Sequence, residues 1–243
     1  MRWTACVRLR MIVTLSLILD FKGSAQPVIK IRRKNKLQGH SRKPLALPVV
    51  MKKRFIWRER VTNQAAELFS HAPDPLSGTF NYPDDPGLFG PGSPTWTIMS
   101  DVSTFIGGIR SLLVQAAHPE VAAGVGDHSN YHADPLGRLS RTASYVTATS
   151  YGALPEIDQA LSAVRLAHVP VSGASHRGLH YSAAAPEMAA WVHNALIDSF
   201  LVAHQTYGPA PLSPAQADAY VAEQTRLGNR MNARPLPDTA DEL

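Results

Sequence analysis

The clearest hydrophobic pattern in the chain begins near position 100. Apolar residues recur there at steps of three and four, at Val102, Phe105, Ile106, Ile109, Leu112, Leu113, Ala116 and Ala117. This spacing places all of them on one face of a helix. We therefore predict a core-facing helix that is capped by Ser100 or Asp101 and ended by Pro119.

Further helices are predicted along the rest of the chain, joined by short connections. Proline, glycine and capping-box signals delimit helices over 136–150, 155–168, 186–207 and 213–227, the last of them ended by Gly228. A short helix is also predicted over 59–69, and residues 71–95, with six prolines and four glycines, favour a loop. No run of alternating strand residues is convincing, so the sequence predicts an all-α fold in a single multi-helix domain.

The charge of the 243-residue chain is distributed unevenly. Residues 1–60 hold 16 of the 24 Lys and Arg residues but only two of the 19 acidic residues, and no lysine follows Lys53. Eight basic and 17 acidic residues remain after position 60, which gives that part a net charge of −9. Because the positive charge belongs to one end of the chain, we expect no nucleic-acid partner, while association with a membrane surface stays open.

Residues 1–50 form a basic extension that has two interpretations. The apolar run over 11–19 follows three arginines and precedes small residues, as in a signal peptide cleaved after Ala25 of an exported protein. Alternatively, this stretch is disordered or is translated from upstream of a natural start at Met51, and the protein is cytoplasmic. We favour the second interpretation, because a mature chain that starts near Gln26 would begin with an unpatterned basic segment.

Several classes of chemistry are excluded by the residues that are missing. The only cysteine is Cys6, so the rest of the chain cannot use thiolate catalysis or a cysteine-ligated zinc or iron–sulfur site. The GxGxxG, Walker, HExxH and GxSxG motifs are also absent, which removes the usual nucleotide-binding, zinc-protease and serine-hydrolase interpretations. Any metal site must therefore use His, Asp or Glu.

Two groups of residues are candidates for chemistry. Arg138, Arg141 and Thr142 share one face of a predicted helix, which suits a bound anion as well as an ordinary solvated surface. His168 closes its helix with its ring expected toward the core, where it would be either a satisfied core residue or a metal ligand. The pair Gly107–Gly108 permits the close approach of another helix or of a flat ligand.

Other histidines offer weaker signals. The pairs His128/His132 and His176/His180 have the i, i+4 spacing of a helical metal clamp, but nearby Pro and Gly residues argue against helices there, so we discount both pairs.

An ordered set of short strings resembles one known family. The strings are Leu113–Pro119, Gly124–Val125, Asp127–Ser129, Asp134–Pro135, Arg138–Thr142, Val164–Arg165, His168, Val171–Gly173, Gly178, Tyr181 and Trp191–His193. Their order and spacing over about 88–243 closely resemble the MpaB-type and latex-clearing-protein oxygenases, formerly a domain of unknown function. The resemblance implies a helical fold around a pocket for haem b. It also implies the oxidation of an apolar small molecule by dioxygen, as in cleavage of the carbon–carbon double bonds of isoprenoid chains.

The resemblance also implies a set of site residues. It places the axial iron ligand on His168, with His118 as the alternative, and the distal catalytic group on Arg138, Arg141 and Thr142. A neutral imidazole is a normal axial ligand, and a cation opposite it would stabilise negative charge on oxygen. The residues expected to contact the cofactor are His168, Arg138, Arg141, Gly107, Arg110 and His118.

One departure from the family leads to a prediction of its own. Latex clearing proteins have lysine at the position that matches Arg141, and a lysine can lose its proton and bind iron. Because arginine does not deprotonate in proteins, we predict a resting iron that is five-coordinate or water-bound.

The resemblance and the composition together divide the chain into three parts. We expect a basic extension over 1–50, a helix and Pro/Gly-rich lead-in over 51–95, and a helical oxygenase-like domain over 96–243. This domain is expected to be incomplete at its C-terminal end, because a capping box over 239–242 is followed by one residue only. Two other functions stay open: a haem-binding sensor or carrier without turnover, and a cofactor-free helical protein whose arginines bind an anion.

Overall fold

The computed structural model describes Ala72 and residues 74–243, and this part is mostly helical, as predicted. The predicted helix over 59–69 and the basic extension lie outside the described residues. The described helices are α1 Pro94–Met99, α2 Ser103–Ala116, α3 Pro119–His128, α4 Pro135–Tyr151, α5 Leu154–His168, α6 Pro186–Tyr207 and α7 Pro214–Arg230. A 3-10 helix at Thr79–Asn81 precedes them, and strands β1 Ser172–Ala174 and β2 His180–Ser182 pair antiparallel between α5 and α6.

Side-chain caps and prolines fix where several helices begin. The Ser93 hydroxyl accepts a hydrogen bond from the backbone N–H of Trp96, and a carboxylate oxygen of Asp134 accepts one from Gly137. The predicted capping box of α7 is confirmed, since Ser213 and Gln216 exchange bonds at its first turn. At 239–242 half of the predicted box forms, because the N–H of Glu242 donates to the Thr239 hydroxyl at 3.3 Å.

The hydrophobic core surrounds α6, which contacts α1, α2 and α7. Its largest cluster joins residues of α1, α4, α6 and α7: Trp96, Ile98, Met99, Tyr151, Ile197, Phe200, Leu201, Tyr220 and Val221. The hydroxyl of the fully buried Tyr220 donates to the carbonyl of Ile197 at 3.2 Å, which satisfies a polar group inside this cluster. Leu76 and Phe89 from the lead-in pack against the same core.

The structure adds three elements that the sequence pattern did not predict, the two short strands and α3. Pro119 lies three residues beyond the last residue of α2 but also begins α3, because proline suits the first turn of a helix. The β-hairpin packs on α3, where the Tyr181 hydroxyl donates to Asp127 at 2.8 Å and the His128 ring contacts the carbonyl of Ser172. Each strand has three residues, too few for a pattern of alternation to show.

The predicted orientation of α2 is wrong as well. Its small residues Ser103, Gly107 and Ser111 are buried, whereas its large apolar side chains are exposed: Val102, Phe105, Ile106, Ile109 and Leu113. A smaller correction concerns the end of α7, which continues through Gly228 to Arg230. None of the helices in the described part is long and apolar enough to span a membrane.

Candidate functional site

The predicted iron ligand His168 and the predicted distal residues Arg138, Arg141 and Thr142 lie on the helical hairpin of α4 and α5. These helices contact each other and are joined by Gly152 and Ala153 alone, so they form an αα-hairpin whose free ends lie away from this link. Arg138 lies 13 residues before Tyr151, and His168 lies 14 residues after Leu154. At 1.5 Å per residue both are about 20 Å from the link. Each residue therefore lies on the free end of its own helix, and we call these two free ends together the open end of the hairpin.

The same residues lie on the helix faces by which the hairpin packs. On α4 the i, i+4, i+7 spacing aligns Arg138, Thr142 and Tyr145, and on α5 the i, i+4, i+11 spacing aligns Ile157, Leu161 and His168. Tyr145 packs against the cluster that contains Ile157 and Leu161, so these two faces are turned toward each other.

His168 differs from a satisfied core histidine. Its side chain is half-buried, and no hydrogen bond or ion pair engages its ring among the residues that the structure describes. Burial lowers the pKa of His168, so the ring is a neutral imidazole near pH 7. His193 provides the contrast, because its buried ring contacts the carbonyl of Gln224 at 3.0 Å.

Arg138 and Arg141 make the free end of α4 cationic. Arg138 is half-buried with its guanidinium carbon 6.0 Å from the Tyr131 ring centroid, and burial, together with Arg141, lowers its pKa. Arg141 is exposed and lies 3.3 Å from a carboxylate oxygen of Asp134, in the kind of surface pair that contributes little to stability. The Thr142 hydroxyl donates to the carbonyl of Arg138 at 3.1 Å. Two guanidiniums side by side favour a negative group between them.

The comparisons with known proteins bear on the whole helical region. The family model for the catalytic domain of ER-bound oxygenase mpaB/B′ and rubber oxygenase matches residues 96–243. The chain belongs to this family. No match is found among curated proteins or among solved structures. Membership confirms the predicted family and supports an oxygenase-type oxidoreductase that acts on a small molecule with oxygen.

In this mpaB/rubber-oxygenase domain, Gly107 and Arg110 join α2 to α6. A Cβ on Gly107 would lie 2.8 Å from the Phe200 ring, so the two helices approach each other closely at this glycine. Arg110 donates to Asp198 at 2.6 Å and to the Ser199 hydroxyl at 2.7 Å, and both partners lie on α6. The structure thus supports helix packing at Gly107, and the assignment of both residues to the cofactor stays a prediction.

His118 lies in a different part of the mpaB/rubber-oxygenase domain, at the start of α3. Its Nδ1 is 3.3 Å from a carboxylate oxygen of Glu120, although the contact is not aligned as a hydrogen bond. The other Glu120 oxygen accepts from the Ser175 hydroxyl at 2.8 Å, and this bond is the main cause of the lowered pKa of Glu120. The His118 ring also lies 5.2 Å from that of Trp191. The contacts with Glu120 and Trp191 therefore give His118 a structural role in the fold.

The remaining histidine pairs do not form clamps. His128 ends α3 and His132 lies beyond it, while His176 lies in the hairpin turn and His180 on β2. Within residues 74–243 no group of three or more His, Cys, Asp or Glu side chains is arranged to hold a metal ion.

Tyr145 was missed by the sequence analysis. It lies one turn inward from Thr142 on the same face of α4, where it packs against the cluster of Ile157, Leu161 and Leu227. Burial raises the pKa of Tyr145 to about 12, so its hydroxyl keeps its proton. In the part of the chain that the structure describes, no hydrogen bond engages this hydroxyl. The i, i+3 spacing from Thr142 is the signal that could have identified it.

Proposed function

We propose that this mpaB/rubber-oxygenase domain binds haem b at the open end of the α4–α5 hairpin. With this cofactor the domain oxidises an apolar small molecule with dioxygen. Cleavage of a carbon–carbon double bond is one such oxidation. The observation that supports it best is an unengaged, half-buried imidazole at His168 on α5, in a hairpin whose other helix, α4, has a cationic free end. Haem b, when bound, would supply the iron chemistry that activates dioxygen.

The residues present suit this cofactor. Haem iron takes four nitrogens from its macrocycle and needs a single axial residue, so one neutral imidazole is sufficient and no cluster of protein ligands is required. His168 offers such an imidazole, since burial lowers its pKa and keeps the ring uncharged. In this role His168 would hold the iron.

The α4 residues have separate roles in the proposal. Arg138 and Arg141 attract negative charge, either a carboxylate of the cofactor or charge that develops on oxygen during the reaction. The Thr142 hydroxyl already donates a hydrogen bond to the carbonyl of Arg138, so it must break that bond before it can donate one to a substrate. Tyr145 lies deeper, with an unengaged phenol that can donate a hydrogen bond from the inner end of the site.

The surroundings of the site favour an apolar substrate. Ile157 and Leu161 form its inner wall together with Leu227, and all three are buried. Next to His168, Leu166 and Val169 are largely exposed. These side chains offer an apolar surface from the opening inward, and an alkene or other hydrocarbon-rich molecule would gain from leaving water there.

A haem-binding test addresses the proposal directly. The full chain, produced with a haem precursor supplied, is expected to show a Soret band that His168→Ala abolishes while His118→Ala and His128→Ala retain it. A band that depends on His118 instead would move the site to α3. A colourless protein would leave the cofactor-free alternative, in which the paired arginines bind an anion such as sulfate.

Oxygen consumption then separates an oxygenase from a haem sensor or carrier. The haem-loaded chain is offered polyprenoid and shorter alkenes, and consumption that depends on the alkene supports the proposal. Haem binding without any consumption would assign the domain to the sensor or carrier class.

A further inference from the structure

A small cavity lies in the core between α1, α4, α6 and α7. Its volume is about 20 Å³, and about 10–15 Å³ is enough for one water molecule. Most of its wall is apolar and is formed by Met99, Val146, Leu196, Ile197, Phe200 and Leu227. The polar groups of the wall therefore decide what can occupy the cavity.

Two of these polar groups are already engaged within the protein. The Thr149 hydroxyl donates to the carbonyl of Tyr145 at 2.9 Å. The side-chain amide of Gln224 donates to the Thr95 hydroxyl at 3.0 Å. The other two large polar side chains of the wall, Tyr145 and His193, each keep a hydrogen-bonding atom without a partner among the described residues.

The free atom of His193 is an acceptor. Its Nε2 contacts the carbonyl of Gln224 at 3.0 Å, and because a carbonyl oxygen only accepts, Nε2 carries the ring proton. Burial lowers the pKa of His193 to about 4, so the ring is neutral and Nδ1 presents a lone pair. A Cβ added to Gly228 would lie 3.0 Å from both Nε2 and Cδ2, so that edge faces α7 and Nδ1 lies on the opposite edge.

Tyr145 supplies the complementary group. Its hydroxyl keeps its proton, because burial raises its pKa to about 12, and it can both donate and accept. The Ser150 hydroxyl also belongs to the wall, and no hydrogen bond engages it in the part of the chain that the structure describes. Buried waters typically make about three hydrogen bonds, which Tyr145, His193 and Ser150 together can provide.

We propose that this cavity binds one water molecule that links Tyr145 to His193, and that His193 thereby positions the Tyr145 hydroxyl. One proton of the water is donated to Nδ1 of His193 and the other to the oxygen of Tyr145. The phenol proton is then directed away from the cavity, where it can be donated to a ligand in the haem site. This positioning role rests on the proposed function, whereas the water site does not.

The polar atoms favour water over an apolar gas as the occupant. Dioxygen has no proton to donate, so it would leave Nδ1 of His193 buried without a donor, which is energetically costly. Cavities that stay dry and take up xenon are lined by apolar groups alone. Water satisfies the imidazole and the phenol at once.

Nitrogen NMR of the full chain without haem tests the water site. In chain labelled with ¹⁵N-histidine, the ring resonances of His193 are those that disappear in His193→Gln. We expect Nδ1 to resonate as a hydrogen-bonded, unprotonated nitrogen and to move downfield in Tyr145→Phe, because the water loses one of its partners. Tyr151→Phe is the matched control, since it removes a buried hydroxyl outside the cavity wall. A free Nδ1 in the natural chain, or no change in Tyr145→Phe, would overturn the proposal.

Xenon distinguishes a wet cavity from a dry one in the natural chain. We expect the methyl resonances of Met99, Val146 and Leu196 to show no saturable shift under xenon pressure, because water occupies the space. Saturable shifts of these methyl groups would assign the cavity to an apolar gas and would contradict the proposal.

Fluoride binding to the haem-loaded chain tests the positioning role. His193→Leu is expected to weaken fluoride binding several-fold in the natural background and to change it little in a Tyr145→Phe background. His193→Gln should recover most of the lost affinity, because its amide oxygen can accept from the same water. Equal losses in both backgrounds would mean that His193 acts on the fold and would overturn the positioning role. A chain that takes up no haem would contradict the proposed function, whereas the nitrogen and xenon measurements decide the water site.

Discussion

Gly107 on α2 and Phe200 on α6 approach each other so closely that a Cβ on the glycine would lie 2.8 Å from the phenylalanine ring. The same added atom would lie 2.9 Å from the carbonyl oxygen of Ser199, which is backbone and cannot rotate away. Because Gly107 has no side chain, α2 can pack closely on α6. The large apolar side chains of α2 point outward.

We predict that Gly107→Ala destabilises the domain and that Gly108→Ala does not. Overpacking at Gly107 costs about 1–3 kcal/mol, which outweighs the gain of about 1 kcal/mol in helix propensity. At Gly108 no heavy atom lies within 4 Å of an added Cβ, so the propensity gain remains. Urea unfolding of the two variants checks the prediction, and equal stabilities would show that α2 can shift on α6.

The buried imidazole of His193 predicts a loss of stability in weak acid. Burial lowers its pKa to about 4, below its ordinary value of 6.5. Above pH 6.5 the ring is neutral in both states, and between 6.5 and 4 only the unfolded chain takes up the proton. The free energy of unfolding should therefore fall as the pH decreases through this window, by on the order of 3 kcal/mol, and level off below pH 4.

A variant isolates the contribution of this ring from that of the carboxylates. His193→Gln is expected to show a shallower decline between pH 6.5 and 4 in urea unfolding, whereas His128→Gln at the end of α3 should follow the natural protein. Parallel curves for all three would mean that His193 does not titrate as its burial predicts.

A lysine at position 141 is predicted to change the state of the iron in the haem-loaded chain. Arg141 cannot lose its proton, whereas a lysine there can become a neutral amine and bind the metal. We expect Arg141→Lys to increase the low-spin signal in electron paramagnetic resonance, with Arg177→Lys in the β-hairpin turn as the control. A low-spin centre with two protein ligands in the natural protein would contradict the prediction.

The Tyr145 hydroxyl is predicted to act in the site and not in folding. Since no hydrogen bond engages it among the described residues, Tyr145→Phe should change the free energy of unfolding little. We expect the haem-loaded variant to bind fluoride about tenfold more weakly, the effect of one lost hydrogen bond of about 1.4 kcal/mol. Tyr151→Phe removes another buried hydroxyl without a partner and serves as control. Unchanged fluoride affinity in Tyr145→Phe would exclude this role.

Much of the candidate site could be predicted from sequence because its residues are close in the chain. Arg138, Arg141 and Thr142 lie within two turns of one helix, so spacing alone places the two arginines and the threonine near one another. The position of His168 at a helix end also follows from the pattern over 155–168. Tyr145 was missed because an aromatic residue in a helix resembles a core residue until its hydroxyl is shown to lack a partner.

The sequence by itself determined the helical class, the ends of α4 to α7 within a few residues, and the family, because periodicity, caps and short strings are local properties. Only the tertiary structure decided which side of α2 is buried, since the small face of Ser103, Gly107 and Ser111 allows closer packing on α6 than its apolar face would. It likewise decided that α4 and α5 pack on each other through Tyr145, Ile157 and Leu161. That relationship depends on how two helices pack, and no local pattern specifies it.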